Sequence, residues 1–180
     1  MRSLAIHSLA VITILLGTVV NTQAQFAGAR ILAGPSFNLM GGYPSLGCGI
    51  GAETPLLDLV GMGLLVQYDS RNEIDYPYFD LSSWQLNVLL TGSLHLTPSQ
   101  VYDPYIGIRV GYQYRTFTFD FYEVPRRQET TPRDRFMLQG VLGCRYFLSS
   151  DLAVNAAFDF MFDERNPEYL GLIIGFDVRL

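Results

Sequence analysis

Apolar and polar residues alternate one for one along most of this chain, most clearly at its end. Leu170, Leu172, Ile174, Phe176, Val178 and Leu180 share one parity, and Tyr169, Gly171, Ile173, Gly175, Asp177 and Arg179 share the other. A strand, with a side-chain period of two, sends these sets to opposite faces; a helix, with a period of 3.6, would mix them. The same split recurs seven more times, over residues 27–39, 46–54, 60–69, 83–96, 105–117, 135–148 and 152–162. In the third of these Met62, Leu64, Val66 and Tyr68 oppose Gly61, Gly63, Gln67 and Asp69, and in the fifth Ile106, Ile108, Val110, Tyr112 and Tyr114 oppose Gly107, Arg109, Gly111, Gln113 and Arg115. Pro35 interrupts the first segment and, having no ladder donor, predicts a bulge or an early strand end there.

The connections alternate in length. Those near residues 56–59, 98–101 and 149–151 are tight, whereas residues 40–45, 70–82, 118–134 and 163–168 are mostly longer and more polar. Eight segments of about ten residues, joined by alternately short and long links, predict an all-β fold: an eight-stranded antiparallel up-and-down barrel, each strand long enough to cross a bilayer when tilted. Beyond residue 24 no apolar run approaches the roughly 20 residues that a membrane-spanning helix needs.

Which face points outward decides between a lipocalin-like soluble barrel and a membrane barrel. Three features favour the apolar face outside. The polar parity carries Arg30, Arg109, Arg115, Arg145 and Arg179 against Glu53, Asp69, Asp159 and Asp177, close to balance, as charges confined in an interior require. Most strand glycines share that parity, where they relieve crowding in a narrow barrel. Aromatic residues on the apolar parity gather toward the strand ends: Trp84, Tyr68, Tyr112, Tyr114, Phe136 and Phe162 at one, Tyr146 and Phe176 at the other, as in the girdles of membrane barrels. With hairpins taken as symmetric, Arg30 falls opposite Glu53 and near Asp177, which predicts an Arg30–Glu53–Asp177 cluster inside the barrel. Arg109, Arg145 and Asp159 are further candidates for lumen ion pairs. Their expected role is structural, because buried charges must be paired.

Composition adds four points. Met1, Arg2 and Ser3, the apolar stretch Leu4 to Val20 and the small residues before Gln25 read as a cleaved export signal over residues 1–24, leaving residues 25–180 as one barrel domain. The formal net charge of −5 argues against nucleic acid as a partner. All 12 basic side chains are Arg, which suits buried ion pairs but equally fits a genomic bias. Cys48 and Cys144 are the only cysteines; a disulfide and two apolar side chains facing lipid are both open, and parity favours the second. No metal or other cofactor is implied.

The stretch Pro104-Tyr105-Ile106-Gly107-Ile108-Arg109-Val110-Gly111-Tyr112 resembles the Pro-Tyr-apolar-Gly-x-Gly-x-Gly-Tyr strand of the small OmpA-like and OmpX-like outer-membrane β-barrel domain family, with Arg109 in place of a frequent Gly. Residues 145–154 resemble that family's strand–turn–strand. Gly175, Val178 and Leu180 resemble the terminal signal read by the barrel-assembly machinery, with Leu where Phe is commonest. The resemblance implies an integral protein of the Gram-negative outer membrane, monomeric, both termini periplasmic, in contact with outer-membrane lipid and lipopolysaccharide. It implies no particular activity. The candidate roles are a plugged barrel with a structural or surface-binding role, a narrow pore for small solutes, and a lipid A-modifying enzyme. Against the enzyme, the one His after residue 24, His95, is expected at the periplasmic end, away from loop-side serines. For surface binding, Arg126, Arg127 and Arg133 in the longest loop are the candidate contacts to lipopolysaccharide phosphates.

Overall fold

A computed structural model describes residues 29–40, 43–75, 77–96, 101–122, 127–161 and 170–180. The eight strands are β1 (Arg30–Met40), β2 (Tyr43–Leu57), β3 (Val60–Asp75), β4 (Phe79–His95), β5 (Tyr102–Phe121), β6 (Arg127–Phe147), β7 (Leu152–Met161) and β8 (Leu170–Arg179). Each pairs antiparallel with the next, and β1 closes against β8 to complete a barrel. The sheet therefore has no open edge along the closed part, where every backbone donor and acceptor can be matched within the wall.

The alternation sorts as the membrane arrangement requires. Leu46, Ile50, Met62, Leu90, Ile106, Ile108, Leu142, Phe158, Ile174 and Phe176 are exposed on the outside. Gln67, Asp69, Asn87, Gln113, Gln139, Asn155, Asp159 and Asp177 are buried within. A lipocalin-like barrel would reverse these sets, so that alternative fails. Cys48 and Cys144 are free and exposed on the outer face, in strands that do not pair with one another.

Pro35 neither bulges nor ends β1. It pairs with Cys48 of β2 in unbroken register, while on the β8 side the pairing skips from Ala33–Phe176 to Ser36–Ile173. The missing donor is absorbed by a two-residue gap in that one ladder. At this gap the strands approach closely: a Cβ on Gly175 would stand 2.5 Å from the Ala33 carbonyl oxygen, and one on Gly34 would collide with the Ile174 carbonyl and the Gly175 Cα. Two glycines allow the closing seam to be this tight.

Two expected loops are mostly strand. Residues 70–82 and 118–134, polar connections by their composition, extend β3, β4, β5 and β6, with ladders reaching Asp75–Asp80, Phe79–Phe121 and Phe121–Arg127. β5 and β6 continue beyond the Arg109–Gln139 pair as far as Phe121–Arg127, whereas β7 pairs with β6 no further than Gln139–Met161. The barrel thus carries a tall hairpin end and a short turn end. At the turn end lie the two-residue turn after Leu57, the Ser149–Asp151 turn and the end of the chain, where the Leu180 amide donates to the Ala29 carbonyl at 2.8 Å.

Candidate functional site: the filled lumen

Inward-facing side chains fill the barrel in three layers. At the tall end Asp69 is the hub. Its Oδ1 accepts from Ser36 Oγ and Asn38 Nδ2, each at 2.6 Å, and from Gln67 Nε2 at 3.3 Å; its Oδ2 accepts from Gln85 Nε2 at 3.2 Å. Gln113 continues the network, donating to Asn87 at 2.9 Å and Gln85 at 3.1 Å and accepting from Arg135 Nε at 2.8 Å. Dipoles from four directions replace the water that Asp69 lost on burial, as a buried charge requires.

The middle layer is apolar. Leu65, Leu89, Met137, Met161 and Ile173 form one buried cluster, with Leu32 packed against it. These residues share the parity of the polar lumen and do not stand out in the sequence, because each interrupts an otherwise polar face. Arg109 and Asp159 form a buried ion pair within the same lumen.

The turn-end layer joins charges from six strands. Arg145 of β6 is its centre: it pairs with Glu53 of β2, lies 2.6 Å from Asp177 Oδ2 of β8 through Nε, and lies 3.6 Å from Asp103 Oδ2 of β5. The Asp177 contact is close but off hydrogen-bond alignment, so its attraction is chiefly coulombic. The Arg145 guanidinium also sits 5.3 Å from the Tyr105 ring centroid, a cation–π contact. Arg30 of β1 reaches Asp177 Oδ1 at 3.8 Å and covers the Phe147 ring at 4.8 Å. Glu53 shares a rung with Arg30, yet turns its carboxylate to Arg145, His95 and Ser93. Of the three residues expected together, Arg30 contacts Asp177 but not Glu53; Arg145 stands between the two acids, with Asp103 and His95 beside them.

His95 ends β4 with Nδ1 2.8 Å from Asp103 Oδ2 and Nε2 2.8 Å from Glu53 Oε1; Ser93 Oγ lies 3.0 Å from the same Nε2. Serine, imidazole and carboxylate in that order resemble a nucleophile, its base and the base's anchor. The Glu53 contact undoes the resemblance. A neutral imidazole offers one donor and one acceptor, and here a carboxylate faces each ring nitrogen, Asp103 at Nδ1 and Glu53 at Nε2. Glu53 shares Nε2 with Ser93, and the Ser93 hydroxyl donates to the Glu53 carboxylate. Among the described residues no group of His, Cys, Asp and Glu has the arrangement of a metal site. Parity alone could have pointed to Asp103, which shares it with Arg109.

A cavity of about 50 Å³ remains between these charges, bordered by Arg30, Glu53, Tyr105, Arg145, Asn155 and Asp177. Leu32, Leu65 and Val141 line it beside these charged groups, and it is large enough for a few waters, which need roughly 10–15 Å³ each on this measure. Arg30 Nη1 and Asp177 Oδ1, both buried without a protein hydrogen bond, belong to residues that border it and are the groups such waters would satisfy.

The remaining candidates lie apart from the lumen. Arg133 is exposed on β6, Arg127 opens β6 opposite Phe121, and Arg126 lies outside the described residues. Val178 and Leu180 are exposed on the outer face, and Gly175 sits at the closing seam.

No protein-family model matches the chain, and no curated protein matches it. Solved structures do. A major outer membrane protein from Thermus thermophilus superposes with a TM-score of 0.62 at 13% identity, covering 85% of this chain and 100% of that one. What the two share is the architecture of a closed β-barrel. Ail, the attachment invasion locus protein of Yersinia pestis, gives 0.59 at 12% identity over 84% of this chain and 96% of its own. OprG from Pseudomonas aeruginosa gives 0.57 at 15% identity over 86% and 98%. At such identities the property that this chain shares with them is the fold, a closed eight-stranded antiparallel β-barrel.

Proposed function

We propose that this chain is an integral outer-membrane protein with a closed lumen, acting as a structural element and as a surface for binding beyond the membrane. The carrying observation is the combination of an exposed apolar belt with a buried, charge-paired interior. In water, a surface bearing Leu90, Ile106, Ile108, Leu142, Phe158 and Phe176 together would be a large aggregation-prone patch; in lipid it is the surface a barrel needs. The belt ends in aromatic rings at both rims. Tyr68, Trp84 and Tyr114 form a ladder with centroids 6.2 and 5.4 Å apart toward the tall end, and Tyr102 and Tyr146 lie 5.1 Å apart toward the turn end.

In this reading residues 1–24 are the cleaved export signal and residues 25–180 the barrel. Gly175, Val178 and Leu180 present the C-terminal strand to the barrel-assembly machinery, the turn end with both termini faces the periplasm, and the tall hairpins face outward. Arg126, Arg127 and Arg133 contact lipopolysaccharide phosphates from that side. The lumen is closed twice, by charges and by the Leu89–Met137–Ile173 layer, so the barrel serves as a wall rather than a conduit.

The expected results are fractionation with the outer membrane, heat-modifiable migration on electrophoresis, and no stable unit conductance in planar bilayers. Folded, monodisperse protein in detergent-free buffer would refute the membrane assignment. A large steady conductance would refute the closed lumen alone.

A further inference from the structure

The lumen is not packed to the same degree along its length. Toward the tall end the inward residues Gln67, Asn87, Gln113 and Asp159 are fully enclosed. Toward the turn end Leu32, Glu53, Thr91 and Ser93 point inward as well, yet they stay half-buried. All four border the cavity of about 50 Å³. That space equals a few waters, or one molecule of about four or five non-hydrogen atoms.

Its wall is divided. Arg30 Nη1 and Asp177 Oδ1 stand 3.8 Å apart on it, both buried and neither in a hydrogen bond with the protein. The Arg30 guanidinium is held in place over the Phe147 ring, at 4.8 Å from its centroid. Leu32, Leu65 and Val141 supply an apolar part. A buried water makes about three hydrogen bonds, and waters lying against that apolar part find too few. An occupant with one polar edge and a short alkyl end loses less there, and displacing poorly held water by an apolar group gains affinity.

Spacing selects the polar edge. Between atoms 3.8 Å apart, a single oxygen about 2.8 Å from each would be held at an angle of roughly 85°. A carboxamide instead presents a carbonyl oxygen and an N–H nitrogen roughly 2.3 Å apart. Its nitrogen donates to Asp177 Oδ1 and its oxygen accepts from Arg30 Nη1, in two nearly parallel bonds. Both bonds are charge-assisted and therefore stronger than neutral ones.

Charge selects a neutral molecule. The arginines that border the cavity, Arg30, Arg109 and Arg145, already face Asp177, Asp159 and Glu53. An ion would enter without a counter-charge of its own and would compete with one of these pairs.

We propose that this cavity is a binding site for a short aliphatic carboxamide, its polar edge on Arg30 and Asp177 and its alkyl end against Leu32, Leu65 and Val141. The site needs the closed barrel but not the membrane setting. Leu89 and Met137 do not border it, so occupancy leaves the middle layer of the lumen shut.

The probes are propionamide and butanone, which match in shape and in the carbonyl oxygen; only the first carries an N–H. The mature protein is folded into lipid nanodiscs in the presence of each probe, so that entry does not limit occupancy. Saturation-transfer difference NMR against empty nanodiscs reads the binding. Saturable binding of propionamide is expected, with butanone at least about tenfold weaker through loss of one charge-assisted bond. Arg30→Met weakens propionamide by a similar factor, and Leu32→Phe, which fills the apolar part, abolishes its binding. No saturable signal would mean that the cavity holds water alone and overturns the site. So does equal binding of the two probes, or binding retained in Leu32→Phe. Heat-modifiable migration verifies that each variant is folded, and the comparison of the two probes on the wild type stands without any variant.

Discussion

Arg145→Met is expected to lower the unfolding free energy of the barrel by about 3–5 kcal/mol, the range found when one partner of a buried ionic network is removed. Arg145 is 7% exposed and is the group that Glu53, Asp103 and Asp177 have in common. Without it three carboxylates remain in a confined volume with Arg30 as the neighbouring cation, and Arg30 stands 3.8 Å from Asp177. Methionine fills a similar space, so the loss reports charge rather than a void. Urea unfolding in lipid vesicles, followed by the heat-modifiable band, is the measurement. A second variant isolates the cause: Arg145→Met with Glu53→Gln removes one of the stranded charges and recovers part of the loss. A change below about 1 kcal/mol in the single variant, the range of an exposed pair, would mean that water reaches the cluster freely.

How this cluster comes together explains what the sequence could and could not reveal. Counting rungs places Arg30 opposite Glu53, and the register has that pair. Rungs describe neighbours in the wall, however, and the contacts that matter cross the lumen. Arg145 and Glu53 are 92 residues apart and belong to strands that do not pair. A long guanidinium can cross a narrow barrel to any of several acids, and hairpin symmetry does not say which. His95 and Asp103 illustrate the same limit, since each has the correct parity but only the closed cylinder shows that His95 stands between two carboxylates.

The strand ends are hard to read for a different reason. Inside the apolar belt a period of two is easily seen because one parity is uniformly greasy. Beyond Trp84 and Tyr114 that requirement ends, charged and hydroxyl residues occupy the outer parity, and a stretch such as 127–135 reads as a polar loop although it is paired strand. Phe117, Phe119 and Phe121 still alternate there with Thr118 and Asp120, so the period is intact and only its phase has changed. The middle lumen layer is hidden in the opposite way, because Leu65, Leu89 and Met137 are apolar residues on the polar parity and look like noise in each strand taken alone.

Leu89 and Leu90 are adjacent in β4, one fully enclosed in the lumen and the other 47% exposed on the outer face near the middle of the belt. If hydrocarbon surrounds that face, Leu90→Arg costs about 2–4 kcal/mol, the penalty for a cation at the bilayer midplane. Thr118→Arg, also outward but beyond Trp84, changes stability by less than about 0.5 kcal/mol, as ordinary surface substitutions do. Simple loss of packing predicts no such contrast, because neither side chain supports the lumen. Salt does not rescue Leu90→Arg, since the cost is desolvation rather than repulsion. Reversible folding into vesicles of defined thickness measures both variants, and thinner bilayers should reduce the penalty for Leu90→Arg by bringing water closer to position 90. Equal stability of the two variants would mean that water bathes the belt, and the exposed leucines and phenylalanines of β2 to β8 would then need another cover.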